Sequence, residues 1–150
     1  MGPGAVATMM IIFAFAPPAE SAPAADDYDA LLVRARGALE GRRIDEARRL
    51  LEIAERRHPG ALLVAYYRAY CDYREERFVE AASGFEKALG IDPGDGWSSY
   101  MLALSQAKAG NTDEARARLV RLKAAHAGDE IGKVSTGTLV ELDALEKAGS

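Results

Sequence analysis

The sequence predicts an all-α fold: a right-handed α-solenoid of three helix-turn-helix repeats closed by a C-terminal capping helix. Three observations carry that expectation. Residue types recur at a constant step of 34: Ala35, Ala69 and Ala103; Glu46, Glu80 and Glu114; Ala47, Ala81 and Ala115; Leu51, Phe85 and Leu119. The 150 residues include 29 alanines but only 6 prolines, at 3, 17, 18, 23, 59 and 93, so helix breakers are rare along most of the chain. Between breakers, apolar residues fall three and four apart, which places them on one helical face. A fixed period of about 20 to 50 residues means stacked units that bury their apolar faces on one another.

Ahead of the repeats, Ala5 to Ala16 (AVATMMIIFAFA) form an uncharged apolar run of 12. That is too short to cross a hydrocarbon layer of about 30 Å as a helix. It reads as the core of a secretory signal over residues 1–24, and Ala22-Pro23-Ala24 offers the small residues a signal peptidase accepts, placing the cut after Ala24. Met1-Gly2-Pro3-Gly4 carries no Lys or Arg, so a retained N-terminal anchor is the alternative. The expectation is an exported protein, periplasmic or secreted, without a membrane-spanning segment in its mature chain.

Residues 25–128 hold the repeats, at about 28–59, 60–93 and 94–127. In the first, Asp26 and Asp27 are placed to cap a helix from Tyr28 to Glu40, Gly41 marks the turn, and Asp45 to Arg57 runs up to His58-Pro59. In the second, Ala61 to Arg74 contains no breaker. Phe78 to Leu89 follows, with Phe78, Ala81, Ala82, Phe85, Ala88 and Leu89 on one face, and Gly90 and Pro93-Gly94 stop it. The third gives Trp97 to Ala109, a turn at Gly110-Asn111, and Asp113 to Ala127. Alanines at 35, 69 and 103 on the first helices, and at 47, 81 and 115 on the second, let the two helices of each hairpin approach closely. Past Gly128 the repeat columns fade, and residues 129–150 read as the cap and tail. Its helix signal is Thr138-Leu139-Val140-Glu141, in capping-box form.

Composition narrows the function. A net charge of −4, with no run of like charges, leaves no footprint for nucleic acid. The single cysteine, Cys71, excludes an internal disulfide, and two histidines with one thiol cannot build a structural zinc site.

The segments GRRIDEARRLLEIAERRHP, ERFVEAASGFEKALGIDP and GNTDEARARLVRLKAAHAGD resemble the second helix of the tetratricopeptide repeat, a 34-residue helix-turn-helix unit with a small residue midway along its first helix and a proline after its second. The resemblance covers about residues 28 to 127. Where the family usually has large apolar and aromatic residues around the small midpoint, this chain has Arg34, Arg68 and Asp72, the last two four apart and placed to pair. Ala127 stands in the closing-proline slot of the third unit.

The resemblance implies that the first helices line a concave groove that takes a peptide. It places Leu32, Arg36 and Leu39 there from the first unit, Tyr66, Tyr70, Tyr73 and Arg74 from the second, and Trp97, Tyr100, Leu104 and Lys108 from the third. Tyr66, Tyr70 and Tyr73 recur at i, i+4 and i+7 and so form one stripe, with Tyr67 beside it. The stripe reads either as the wet wall of a binding groove or as a packed seam between helices. Arg36, Arg74 and Lys108 would flank it and favour an acidic or C-terminal segment. Members that hold a terminal carboxylate use Lys and Asn in slots that here carry Leu32, Tyr66 and Tyr100, then Arg36, Tyr70 and Leu104, so that clamp is absent.

No sequence pattern points to catalysis. His58, Asp92 and His126 share one repeat slot, but packed helices lie about 8 to 10 Å apart while a metal–nitrogen bond is about 2 Å. There is no G-x-S-x-G, Gly-rich phosphate loop or H-E-x-x-H helix. The sequence therefore predicts a non-enzymatic protein–protein interaction module or scaffold of the cell envelope, with a protein or peptide partner and no cofactor or metal. The alternatives are a self-assembling, homo-oligomeric component of an envelope complex and, more remotely, a hydrolase or metal enzyme.

Overall fold

The computed structural model describes residues 27–149, and the apolar run, the cut after Ala24 and Asp26 lie outside them. The described chain forms seven helices: α1 (Tyr28–Glu40), α2 (Ile44–Arg57), α3 (Leu62–Arg74), α4 (Phe78–Ile91), α5 (Gly96–Lys108), α6 (Thr112–Ala125) and α7 (Glu130–Ala148). α1, α3, α5 and α7 begin at 28, 62, 96 and 130, and α2, α4 and α6 at 44, 78 and 112, a step of 34 each time. The period that fades from the side chains after Gly128 thus persists in the backbone, and α7 is a fourth first-type helix.

Consecutive helices pack as antiparallel hairpins. α1, α3, α5 and α7 contact one another along one layer, and α2, α4 and α6 lie behind them. This is an all-α solenoid. The hairpin turns are one device used three times: Arg42 (φ 58°), Glu76 (φ 60°) and Gly110 (φ 96°) occupy the left-handed region at equivalent positions. After each, an amide reaches back five residues, Arg43 to Ala38 (2.8 Å), Arg77 to Asp72 (2.9 Å) and Asn111 to Gln106 (2.8 Å), satisfying carbonyls at the helix end. Only the third turn uses glycine; each non-glycine turn costs about 1 kcal/mol that packing must offset.

The midpoint alanines of all three hairpins, Ala35, Ala47, Ala69, Ala81, Ala103 and Ala115, are at most 1% exposed. Around them the core splits into a cluster under the first hairpin, including Leu31, Leu39, Leu51, Val64 and Cys71, and a second one of Ala69, Ala81, Phe85, Met101 and Leu102. α4 crosses α3 so closely that a Cβ built on Gly84 would sit 2.6 Å from the Cβ of Ala69. Gly84 is the residue that permits this crossing.

Several sequence expectations need correction. Asp27 stands at the start of α1 but its side chain accepts no capping hydrogen bond. Gly90 does not stop α4, which runs through it to Ile91 and ends before Pro93-Gly94. Thr138 does not cap a helix: it lies inside α7 and donates to the Val134 carbonyl (3.0 Å). The cap is Asp129, which accepts from the Gly132 amide (3.2 Å). Arg68 does not pair with Asp72, whose carboxylate is taken by Arg48 of α2 and by Arg77.

Candidate peptide-binding groove

On α3, the rings of Tyr66 and Tyr70 are stacked with centroids 6.4 Å apart and planes 6° apart, and Tyr70 and Tyr73 follow at 6.2 Å and 11°. Helical periodicity sets the spacing, since residues four and seven apart stand one above another on a face. Each ring has one side against the core: Tyr66 meets Phe85 edge-on at 5.5 Å, and Tyr73 meets Phe78 in the same way at 5.5 Å. All three remain half-buried, so the stripe is packed into the helix seam and still reaches solvent.

α5 extends the surface. Trp97, 42% exposed, lies edge-on to the half-buried Tyr100 at 6.1 Å, and Leu104 packs beside Tyr100 on the second core cluster. The Tyr100 hydroxyl is 3.0 Å from Thr138 Oγ1, joining α5 to α7 across the layer. Sequence reasoning missed Thr138, and it missed Leu63, which is 47% exposed one turn before Tyr66. Stepping by 34 from Trp97 back to Leu63, or from Leu104 on to Thr138, finds both.

The cations differ in setting. Arg74 donates from Nη1 to the Tyr70 hydroxyl at 3.5 Å, with its guanidinium carbon 5.8 Å from that ring's centroid. Arg36 is exposed and holds Glu40 loosely, Nε to Oε1 3.7 Å. Lys108, in the last turn of α5, is exposed and makes no ion pair among the described residues. Leu32 and Leu39 do not belong with them: at 7% and 1% exposed they are core of the first hairpin, because α1 carries Leu where α3 carries the half-buried tyrosines. Tyr67 packs against that same cluster.

Burial pushes the Tyr66 phenol up to about 12 and raises that of Tyr73, so both stay neutral hydroxyls at physiological pH. The surface therefore offers flat aromatic area, neutral hydroxyls and basic groups, an arrangement suited to holding a chain. Burial likewise pushes the thiol of Cys71 up to about 11, leaving it protonated and fully enclosed, the opposite of a nucleophile's setting. The His58, Asp92 and His126 column is occupied locally. His58 packs on Tyr28 (4.5 Å), Asp92 accepts from the Gly94 amide (2.9 Å), and His126 Nδ1 lies 2.7 Å from Asp129 Oδ2. Among the described residues, no three His, Cys, Asp or Glu side chains are grouped to hold a metal, and no helix is long and apolar enough to cross a membrane.

Two family profiles, each described as tetratricopeptide repeat, match residues 32–96 and 73–133. No curated protein sequence matches the chain. Among solved structures, the Yersinia enterocolitica type III secretion translocator chaperone SycD aligns at a TM-score of 0.72 with 13% identity, over 81% of this chain and 95% of that one. The first such domain of Spaghetti (RPAP3), bound to the HSP90 peptide SRMEEVD, aligns at 0.69 with 15% identity, over 82% and 94%. The Sgt2 domain from Aspergillus fumigatus aligns at 0.68 with 18% identity, over 82% of its own length and 83% of this chain. At these identities the likeness is one of fold.

Proposed function

The chain belongs to the tetratricopeptide repeat family, and from that membership we propose that it is a non-enzymatic interaction module that captures an extended or helical peptide on the layer formed by its first helices. The observation that carries the reading is the aromatic surface of Tyr66, Tyr70, Tyr73, Trp97 and Tyr100, half open to solvent in the layer that this fold turns toward its ligands. Rigid aromatic rings bury large area at small entropic cost, and their hydroxyls and flanking cations supply polar contacts. A neighbour of the same fold, Spaghetti (RPAP3), is bound to an acidic peptide, which supports a peptide ligand for this surface too.

A ligand held by a terminal-carboxylate clamp is not expected, because Tyr66, Tyr70, Tyr100 and Leu104 fill the slots where such a clamp needs Lys and Asn. Apolar and aromatic side chains would lie on Trp97, Tyr100 and the α3 stripe. Arg36, Arg74 and Lys108 would meet acidic groups along one edge. The N-terminal apolar run with Ala22-Pro23-Ala24 supports an exported protein working in the cell envelope.

The test is a peptide-display selection against the chain, followed by affinity measurement on its variants. Trp97→Ala and Lys108→Glu alter exposed side chains, so they report binding without unfolding, whereas Tyr70→Ala and Tyr100→Ala also open the half-buried seam. Loss of about tenfold or more in affinity with Trp97→Ala is expected for an aromatic anchor, and Lys87→Glu on α4 should change nothing. Equal affinity in all three would place the ligand elsewhere. N-terminal sequencing of the chain recovered from cells should begin at Ala25; a retained Met1 would overturn cleavage after Ala24 and favour the retained anchor.

A further inference from the structure

α7 leaves uncovered the face that every other first helix buries. In α1, α3 and α5 the midpoint alanine, Ala35, Ala69 or Ala103, is sealed by the second helix of its own hairpin. The equivalent position in α7 is Gly137, one further step of 34, and it is exposed. A Cβ built there meets nothing within 4 Å, as at Gly37 of α1 and Gly90 of α4, and unlike those at Gly84, Gly96 and Gly132, which collide with packed neighbours. Glycine is the poorest helix former after proline, so α7 itself gains nothing from it at this central position. On the same side of α7 lie Lys133, Val140, Glu141, Ala144 and Ala148, all exposed, with Val140 at 63%.

Charges of both signs lie on this face: Glu130, also exposed, stands seven residues before Gly137. Lys133 stands four residues before Gly137 and Glu141 four after. Glu141 makes no ion pair among the described residues, and Lys133 makes only a long contact of 3.9 Å with Glu130, both ends largely exposed. Laid antiparallel on a copy of itself with the two glycines opposed, α7 would bring each lysine against the other copy's glutamate, twice over. Val140 would lie between the glycines and the charge pairs, Ala144 would face Glu130 of the other copy, and the small-on-small crossing would repeat the one seen between Ala69 and Gly84.

We propose that this face is a homodimer interface, in which α7 pairs antiparallel with the α7 of a second copy across a two-fold axis at Gly137. Such an interface is closed, since the same patch serves both subunits and no filament follows. It also lies on a different face of α7 from Thr138, which touches Tyr100, so the groove and the dimer are separable.

Sedimentation equilibrium of the whole chain, with its variants, tests this. The native chain should show twice the monomer mass, dissociating on dilution. Gly137→Leu, which blocks close approach but favours helix, should halve the mass while circular dichroism shows helicity kept. Lys133→Glu and Glu141→Lys should each be monomeric, because like charges then face across the axis. Their equimolar mixture should recover the dimer, as should the chain carrying both exchanges. A monomeric native chain would overturn the proposal. So would a dimer indifferent to these substitutions, or capture of α7 only by a helix from another protein.

Discussion

Arg48 of α2 and Asp72 of α3 are joined by a 2.8 Å contact from Nη2 to Oδ1, and the same guanidinium nitrogen lies 2.6 Å from Glu75 Oε2. This contact ties the first hairpin to the second, and Arg77 shares both carboxylates. Burial works to lower the pKa of Arg48, yet its hydrogen bonds to Asp72 and Glu75 leave it raised overall, so the arginine is charged under all working conditions. Two steps of 34 along the chain, Arg116 of α6 holds Asp143 and Glu146 of α7 in the corresponding way. At the intermediate position stands Ala82, and no such tie is made there.

Replacing Arg48 with Ala should therefore loosen the junction between hairpins. The side chains of Arg48 and Asp72 are 30% and 20% exposed, between the surface and buried limits, and a cost of about 1–2 kcal/mol is expected. A double-mutant cycle with Asp72→Ala, read by urea denaturation, should show positive coupling. Strict additivity would mean that the contact contributes nothing.

Gly84→Ala should destabilise the protein although alanine is the better helix former by about 1 kcal/mol. The new methyl would meet the Cβ and Cα of Ala69 at 2.6 and 3.1 Å, and neither can move without shifting α3. Overpacking of this kind costs about 1–3 kcal/mol, so the denaturation midpoint should fall. A midpoint that rises would show that α4 slides freely on α3.

Tyr66 links stability to alkaline pH. Its folded phenol is raised by burial to about 12 from an ordinary value of 10.0. A raised folded value means the stabilisation is complete below the ordinary value and is lost as pH climbs through the folded one. Thermal melts should accordingly weaken between about pH 10 and 12, and Tyr66→Phe, which cannot ionise, should flatten that part of the profile. An unchanged profile would shift the blame to other tyrosines.

Cys71 should resist thiol reagents in the native protein, being fully buried and held protonated by burial well above neutral pH. Labelling should proceed only through opening of the fold and accelerate with urea in step with unfolding. Fast labelling in native buffer would mean that the seam between α2 and α3 opens locally.

How far the residues alone carried the reading depends on distance along the chain. The helices, their order and the close crossings at Ala35, Ala69 and Ala103 were legible because a helical face and a hairpin repeat are written in residues three, four and 34 apart. The tyrosine stripe was legible for the same reason. Whether Leu32 and Leu39 face solvent or core was not, since the hydrophobic face of α1 is decided by which neighbours seal it. The fate of Asp72 was misjudged because Arg68, one turn away, is nearer in sequence than Arg48, 24 residues away and across the hairpin junction. The extent of α7 was legible from residue 129 on, but its cap was not: Thr138 and Glu141 match a local capping pattern inside the helix, whereas Asp129 caps it through the Gly132 amide without one.

Periodicity by itself thus determined that this protein is a stack of helical hairpins with an aromatic band on its first-type helices, since such patterning is local and repeats without reference to what lies beyond. Tertiary structure alone decided which side of each band is sealed, that Arg48 rather than Arg68 takes Asp72, and that α7 stands as a first helix with Gly137 bare. Those outcomes depend on how close separate hairpins come in space, and distance between remote segments is a property of the packed stack that no single segment encodes.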